Sequence, residues 1–151
     1  TEFVTSVDIV KEQLNIAMGN KLSFSQEDVV IKGHAIECRI NAENPDFDFR
    51  PSPGTIKRYL APGGFGVRVD SAAFQGYEIP QYYDSMIGKL IVWDKDRASA
   101  IAKMERALKE YIIEGIDTNI KYHQKILKNP KFIDGDVDTG FIANHMKWNI
   151  K

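Results

Sequence analysis

The sequence predicts an α+β fold in which a small antiparallel sheet packs with helices. Three observations lead to this prediction. The elements run as a helix, then several strands, then helices, rather than as alternating β-α-β units. Residues 34–42 alternate apolar and polar side chains, which is typical of a half-buried strand. Prolines and glycines punctuate residues 44–64 and separate short strand-like runs. The length of 151 residues suits one domain or one subdomain of a larger protein.

A helix is predicted near residues 5–18. Thr5 and Asp8 stand at a spacing that resembles a capping box, and Gly19 with Asn20 provides a stop signal. Residues 25–28 then read as a turn or as one short helical turn. The apolar residues of the predicted helix form one stripe at helical spacing, made of Val7, Val10, Leu14, Ala17 and Met18.

The two faces of the predicted strand at residues 34–42 differ in chemistry. One face carries Ile36, Cys38, Ile40 and Ala42, and the other carries Glu37, Arg39 and Asn41. A guanidinium presents planar paired donors that suit carboxylate-like anions, and a strand would hold it rigidly. From the pattern alone, however, a solvent-facing side of an antiparallel sheet explains the alternation better than a binding site does.

Two further strands, at residues 55–60 and 65–70, predict an antiparallel meander. The glycine-rich residues 62–66 between them indicate a hairpin turn. They lack the Lys-Ser/Thr pair of a phosphate-binding loop and do not open a helix, so that alternative is disfavoured. A long apolar strand is predicted at residues 86–93.

The last third of the chain predicts helices. One helix covers residues 97–114, with Asp96 as its cap and Gly115 as its stop. The next helix begins at residues 117–118 and ends before Pro130, and a short helix follows residues 138–139. The buried stripe of the first of these helices is formed by Ile101, Met104, Leu108, Tyr111 and Ile112.

Composition and charge exclude several classes of function. The net charge is -1 and no basic stripe is present, which argues against nucleic-acid binding. No apolar run approaches ~20 residues, and no signal peptide is visible, so no membrane association is expected. Cys38 is the single cysteine and cannot form an internal disulfide, which favours a cytoplasmic location. Its place on the apolar strand face indicates an inert core residue, and the three histidines show no shared metal-ligand spacing, so no metal site is predicted.

Three more residues are candidates for function, each with a structural alternative. Asp84 precedes the apolar strand at 86–93 and could orient Arg39, although a turn or cap role is more common for such an aspartate. Phe65 and Arg68 follow the glycine turn. Aromatic residues and arginine are enriched at the centres of interfaces, so both could anchor a partner, and ordinary packing within the domain is an equal alternative.

Four segments resemble motifs of one known family, and they occur in the order and at the spacing that are typical of that family. They are residues 33–43 (GHAIECRINAE), 51–54 (PSPG), 61–68 (APGGFGVR) and 82–90 (YYDSMIGKL). Together they identify the chain as similar to biotin carboxylase from Thr1 to roughly Phe141. The sequence of residues 39–43 (RINAE) is most similar to that of the separate biotin carboxylase subunit of bacterial acetyl-CoA carboxylase. Pyruvate, propionyl-CoA and methylcrotonyl-CoA carboxylases carry related domains.

The resemblance implies an ATP-dependent ligase. In the family, ATP activates bicarbonate as carboxyphosphate, a base deprotonates the ureido nitrogen of biotin, and biotin is carboxylated. The oxyanion on the ureido oxygen needs a fixed positive partner, and the arginine that serves this purpose, beside bicarbonate, matches Arg39. Asp84 matches an aspartate near the site and is expected to have a supporting role. Phe65 and Arg68 match positions at the dimer interface of the bacterial enzyme.

The resemblance also implies which part of the family's protein this chain corresponds to. Residues 1–146 correspond to the C-terminal subdomain that follows an ATP-grasp fold, and residues 147–151 form a tail without a family counterpart. The catalytic glutamate, the glycine-rich ATP loop and the ligands of Mg²⁺ or Mn²⁺ belong to segments upstream of the position that matches Thr1, so the isolated chain is expected to be inactive. The expected partners are the ATP-grasp portion of the same protein, a biotin carboxyl carrier protein or domain, a carboxyltransferase and a second copy of the parent.

Two other hypotheses remain open from the sequence. The chain could be a non-catalytic binding or dimerisation module, in which the surface at Phe65 and Arg68 carries the function and Arg39 is dispensable. It could also serve another ATP-grasp ligase that shares this subdomain, in which case the activity would not respond to biotin.

Overall fold

The computed structural model describes residues 1–146, and the tail predicted at 147–151 lies outside the described residues. The α+β class is confirmed. Two short 3₁₀ turns, Gln26–Asp28 and Pro45–Phe47, accompany the regular elements. The helices are α1 (Glu2–Thr5), α2 (Ile9–Ala17), α3 (Arg97–Glu110), α4 (Ile120–Leu127), α5 (Pro130–Asp134) and α6 (Phe141–His145). The strands are β1 (His34–Asn41), β2 (Glu43–Asn44), β3 (Arg50–Pro51), β4 (Gly54–Thr55), β5 (Arg58–Leu60), β6 (Val67–Ser71), β7 (Glu78–Ile79), β8 (Met86–Asp94) and β9 (Ile112–Glu114).

The centre of the fold is an antiparallel sheet with the order β1-β8-β6. In its register Arg39 of β1 lies opposite Lys89 of β8, and the pairing becomes irregular between Ile40 and Asn41. Helix α3 packs against this sheet, and its Met104 and Leu108 are fully buried together with Ile40 and Leu90. The sheet therefore has one face in the core and one face that carries the polar residues of β1, as the alternation predicted.

The helix predicted at residues 5–18 begins later, at Ile9, and a separate short helix, α1, precedes it. Helix α1 ends at Thr5, and Ser6 takes a left-handed conformation with φ of 60°. Asp8 then caps α2 by accepting a hydrogen bond from Lys11 N at 2.9 Å. The predicted start was wrong because residues 6–8 break the helical backbone although the apolar spacing continues through them. The apolar side chains of Val10 and Leu14 on α2, and of Met18 directly after it, are exposed.

The predicted strand at residues 55–60 is also interrupted, and the predicted meander does not form. Strand β4 pairs with β7, β5 pairs with β9, and β6 pairs with β8. Ile56 lies fully buried between β4 and β5, and its carbonyl accepts a hydrogen bond from Gly76 N at 2.7 Å. Because β5 and β6 pair with different strands, residues 62–66 do not form a hairpin turn.

The helix predicted at 97–114 ends at Glu110, because Tyr111 has an extended backbone and residues 112–114 form β9 opposite β5. The Tyr111 hydroxyl lies 2.7 Å from the Tyr59 hydroxyl, which joins this connection to β5. Asp96 caps α3 as predicted, by accepting from Ser99 N at 2.8 Å. The helix predicted between residues 117 and 130 is shorter than expected and corresponds to α4. A short helix that was not predicted, α5, begins at Pro130. Helix α6 corresponds to the helix predicted after residues 138–139.

Helices within residues 1–146 are too short and too polar for any of them to cross a bilayer.

Candidate active site

Arg39 lies on the outward face of β1, between two anchored neighbours. Cys38 and Ile40 on either side are buried, whereas the Arg39 side chain is 69% exposed. Its Nε approaches Glu37 Oε1 at 3.7 Å. An exposed pair at that distance contributes little to stability. The arrangement therefore places a permanently charged guanidinium on a fixed strand, with its donors accessible to an anion.

A second cation faces Arg39 across the strand pair. Lys89 of β8 is the cross-strand partner of Arg39, and Asp70 of β6 is the partner of Lys89 on its other side. Like charges opposite each other in a sheet are unfavourable unless something negative lies nearby. Sequence reasoning missed Lys89, because its position beside Arg39 follows only from the register of β1 with β8. Asp70 and Glu37 supply negative charge beside the pair, and the exposed donors of Arg39 stay accessible to an anionic ligand.

The outer edge of β1 is covered by α4 and by the residue that precedes it. Asn119 Nδ2 donates to the carbonyl of Arg39 at 3.0 Å, and Asn119 Oδ1 accepts from Asn41 N at 3.0 Å. His123 Nε2 lies 2.9 Å from the same Arg39 carbonyl. Because a carbonyl only accepts, Nε2 carries the proton of that imidazole. Sequence reasoning did not identify Asn119, and for His123 it established only that the three histidines share no metal-ligand spacing.

Burial influences the protonation of His123. Desolvation lowers the pKa of His123 below its ordinary value, and the hydrogen bond to the Arg39 carbonyl opposes that effect in part. The imidazole is thus neutral at pH 7 and still donates from Nε2. Since this nitrogen bonds to the strand backbone and not to the guanidinium, we assign His123 to holding the strand and not to chemistry on a ligand.

The loop before β8 brings Asp84 to the end of β1. Asp84 Oδ1 accepts from Met86 N at 2.8 Å, which is the hydrogen-bond pattern of a turn residue. In residues 1–146 this bond, and not one to Arg39, is the hydrogen bond that Asp84 makes. The neighbouring Ser85 donates to Glu43 Oε1, which also accepts from Asn41 Nδ2 at 3.1 Å. The loop is therefore tied to β1 through Glu43.

Phe65 and Arg68 lie on the surface but in different surroundings. The Phe65 side chain is 86% exposed and its ring meets Trp93 edge-on at 6.2 Å between centroids. Arg68 donates to Asp70 at 2.7 Å and to Glu2 at 2.5 Å. These two hydrogen bonds, that to Asp70 first, raise the pKa of Arg68. Phe65 is thus free to contact a partner, while Arg68 is already engaged within the domain.

The remaining candidates have structural roles. Burial raises the pKa of the Cys38 thiol to about 12, so it stays protonated at neutral pH, consistent with an inert core residue. His34 Nε2 lies 3.1 Å from Arg97 Nη1, and His145 packs beside the ring of Phe141. Within the part of the chain that the structure describes, no group of three His, Cys, Asp or Glu side chains is arranged to hold a metal ion.

Comparison with known proteins agrees with this arrangement of elements. The family model described as the biotin carboxylase C-terminal domain matches residues 37–144. A biotin carboxylase of Nostoc sp. is 58% identical over 97% of this chain, which is 33% of that protein. A pyruvate carboxylase subunit from Methanothermobacter thermautotrophicus is 55% identical over 97% of this chain and 30% of its own length.

A solved structure is similar throughout the same region. It is the biotin carboxylase domain dimer of the Hydrogenobacter thermophilus 2-oxoglutarate carboxylase, in complex with MgADP, ADP and bicarbonate. It superposes with a TM-score of 0.93 at 50% identity and covers 96% of this chain and 32% of that one. The chain therefore spans about a third of the length of the relatives that it matches.

Proposed function

This chain belongs to the biotin carboxylase family, in which it is the C-terminal domain, and we propose that it completes the active site of an ATP-dependent ligase that carboxylates biotin. In that reaction the γ-phosphoryl group of ATP passes to bicarbonate, which gives carboxyphosphate and ADP. A base removes the proton from the ureido nitrogen of biotin. The nitrogen then forms a bond to the carboxyl carbon while the carbon–oxygen bond to phosphate breaks and phosphate leaves.

Arg39 is the residue that we assign to the chemical step. Deprotonated biotin carries negative charge on its ureido oxygen, and a fixed cation stabilises such charge best when the site is organised beforehand. The observation that carries the proposal is the exposed guanidinium of Arg39 on a strand whose neighbouring residues are buried, opposite Lys89. In this proposal Arg39 also lies beside bicarbonate, and Asp84 supports the site by holding the turn that leads into β8.

The remaining machinery is assigned to other parts of the parent protein. We place the catalytic glutamate, the ATP loop and the ligands of Mg²⁺ or Mn²⁺ in an ATP-grasp portion. The exposed apolar side of α2 supports such a neighbour, because Val10 and Leu14 of α2 and Met18 directly after it lie at spacings of four and are all exposed. On this assignment the isolated chain does not hydrolyse ATP, and biotin-dependent ADP formation by the pure chain would contradict it.

Further partners follow from the same proposal. A biotin carboxyl carrier protein or domain delivers biotin, and a carboxyltransferase receives the carboxyl group. We propose a homodimer of the parent that uses Phe65 and Arg68, and the similar 2-oxoglutarate carboxylase domain is described as a dimer. For the final acceptor we propose acetyl-CoA, with a cytoplasmic role in fatty acid biosynthesis. Pyruvate is the second candidate, because the Methanothermobacter pyruvate carboxylase subunit is nearly as similar as the Nostoc biotin carboxylase.

The test uses the complete protein that carries this domain. Bicarbonate-dependent ADP release is measured with and without free biotin. Arg39→Ala should lower the biotin-stimulated rate on the order of 100-fold, as expected for the loss of an oxyanion donor. Arg39→Lys keeps the charge but loses the planar pair of donors, so it should restore only part of the rate. Arg58→Ala is the matched control, since Arg58 is an exposed arginine paired with Glu114 on β9.

Each outcome decides between the hypotheses. If biotin does not stimulate the folded wild-type protein, the biotin carboxylase chemistry is wrong and another ATP-grasp ligase becomes the better hypothesis. If biotin stimulates the wild type and Arg39→Ala equally, the assignment of Arg39 fails. A folded protein without any ATP-dependent activity, together with self-association that depends on Phe65, would support a binding or dimerisation module instead.

A further inference from the structure

We propose that Asn119 is a positioning residue for Arg39, with His123 as a second support on the same carbonyl. The inference rests on the proposed function of Arg39. It concerns how the strand that carries Arg39 is held and not which group contacts the ligand.

The side chain of Asn119 forms hydrogen bonds with β1 instead of capping its own helix. Asn119 is the residue that precedes α4, a position where asparagine commonly caps the helix through its side chain. Here it makes no such cap. Instead Nδ2 donates to Arg39 O and Oδ1 accepts from Asn41 N, each at 3.0 Å. The carboxamide thus binds β1 as the peptide group of a neighbouring strand would.

The backbone of Asn119 adds to this contact. Asn119 N donates to Asn41 O at 3.2 Å, so three hydrogen bonds join one residue to positions 39 and 41. They lie where the pairing of β1 with β8 becomes irregular, between Ile40 and Asn41. Within residues 1–146, β1 is the edge strand of its sheet, and no further strand of that part of the chain constrains this side of it. Asn119 supplies that constraint.

Burial makes these hydrogen bonds costly to lose. Asn119 is 7% exposed, and a buried carbonyl or amide without a partner costs free energy comparable to a lost hydrogen bond. The Arg39 carbonyl has two donors, because His123 Nε2 lies 2.9 Å from it. Removing either donor leaves the other in place, so the expected result is a shifted strand rather than an unfolded one.

The backbone constraint matters because the guanidinium itself is loosely held. The side-chain contact that the structure gives Arg39 is the 3.7 Å approach to the exposed Glu37. The direction in which Arg39 projects is therefore set mainly by the backbone of residues 39–41. A catalytic group displaced by about 1 Å can lose on the order of 100-fold in rate. Holding this short segment is how Asn119 would act on a reaction that it does not touch.

A double-mutant cycle in the complete protein tests the inference. Asn119→Asp keeps the acceptor for Asn41 N but replaces the donor to Arg39 O with a carboxylate oxygen. We expect the biotin-stimulated kcat to fall roughly 10- to 100-fold with the KM for biotin nearly unchanged, because Arg39 acts on charge that develops in the transition state. In the Arg39→Ala background the same substitution should change kcat by less than about twofold, since residues that act through each other are not additive.

Asn129→Asp is the matched control, because Asn129 caps α5 with its Oδ1 and keeps that bond as an aspartate. Equal effects of Asn119→Asp with and without Arg39 would overturn the inference. An Arg39→Ala variant with wild-type kcat would instead overturn the proposed function, so the two failures are distinguishable.

A second pair of variants covers the case in which Asn119→Asp does not fold. His123→Met removes the other donor to Arg39 O, whereas His123→Gln offers an amide donor at a similar reach. We expect His123→Met to lower the biotin-stimulated kcat severalfold and His123→Gln to restore most of it. If Met and Gln at position 123 give the same rate, whether normal or reduced, donation to the Arg39 carbonyl does not position the arginine and the inference is wrong.

Discussion

Glu43 and Ser85 join the end of β1 to the loop that precedes β8. The Ser85 hydroxyl donates to Glu43 Oε1, and the backbone of the same loop accepts from Ala42 N through Ser85 O at 2.7 Å. Glu43 Oε1 also accepts from Asn41 Nδ2 at 3.1 Å. One carboxylate therefore fixes the distance between the strand that carries Arg39 and the loop that carries Asp84.

Removing this carboxylate should destabilise the domain. Glu43→Ala deletes the acceptor of two partly buried hydrogen bonds and leaves Ser85 and Asn41 without that partner. We expect a loss of about 1.5–3 kcal/mol in the free energy of unfolding, the range for hydrogen bonds to a charged group. Urea unfolding of the 151-residue chain measures the change. Glu114→Ala serves as the control, since its ion pair with Arg58 is exposed. An equal loss in both variants would contradict the prediction.

Gly63 and Gly66 in the loop at residues 62–66 differ in whether they tolerate a side chain. Gly66 has φ of +72°, and a Cβ there would lie 2.5 Å from the carbonyl oxygen of Trp93. Gly63 has an ordinary φ, and a Cβ there would meet no atom within 4 Å. Gly66→Ala should therefore cost more than the ~1–2 kcal/mol of the left-handed conformation alone.

Thermal unfolding of the two variants separates these cases. We expect Gly66→Ala to lower the Tm by several degrees, because about 1 kcal/mol corresponds to roughly 2–4 °C for a domain of this size. Gly63→Ala should unfold within about a degree of the wild type. A Gly66→Ala variant as stable as Gly63→Ala would show that the backbone can move away from Trp93 without cost.

The sequence was most informative where local periodicity and local caps decide the structure. The alternation in β1 predicted that Cys38 and Ile40 are buried and that Arg39 faces outward, and the structure confirms it. Asp96 caps α3 as predicted. These features depend on contacts within a few residues of the chain, or on which face of one strand is apolar, and both are visible in a single sequence.

The features that sequence reasoning missed depend on contacts between distant positions. Strand β9 is three residues long, and it forms because it pairs with β5. That partner lies more than 50 positions earlier in the chain. Asn119 bonds β1 across about 80 positions, and nothing in its neighbourhood distinguishes it from an ordinary helix cap. Lys89 joins Arg39 only through the register of two strands. No local pattern encodes such pairings, because each is chosen by the packing of the whole domain.

Phe65 offers a test of the proposed dimer. A phenylalanine that is 86% exposed and rests against Trp93 is the type of anchor that loses most binding energy on truncation. In the complete protein, Phe65→Ala should weaken self-association by at least tenfold in Kd, measured by sedimentation velocity over a concentration series; this corresponds to about 1.4 kcal/mol. Phe74→Ala is the control, because Phe74 is also exposed and packs against Tyr77. Equal effects of the two substitutions would argue against an interface at Phe65.

The lowered pKa of His123 leads to a prediction of how the free energy of unfolding depends on pH. Its folded pKa is lowered by burial, whereas in the unfolded chain it returns to about 6.5. As the pH falls from about 7 to 5, the unfolded chain binds this proton more readily than the folded chain, so the free energy of unfolding decreases. Above about pH 7 both states are neutral at this position, and the free energy of unfolding no longer changes with pH on account of His123.

Replacing the imidazole removes this dependence while keeping the donor to the Arg39 carbonyl. The free energy of unfolding of His123→Gln, measured in urea at intervals between about pH 5 and 7, should decrease less steeply than that of the wild type. The window avoids the range in which most carboxylates titrate, so their contributions change little across it. His145→Gln controls for the loss of a histidine as such, because His145 is exposed on α6. If the stability of His123→Gln falls with pH as steeply as that of the wild type, the pKa of His123 is not lowered in the folded domain, and its half-buried position beside β1 does not desolvate the imidazole.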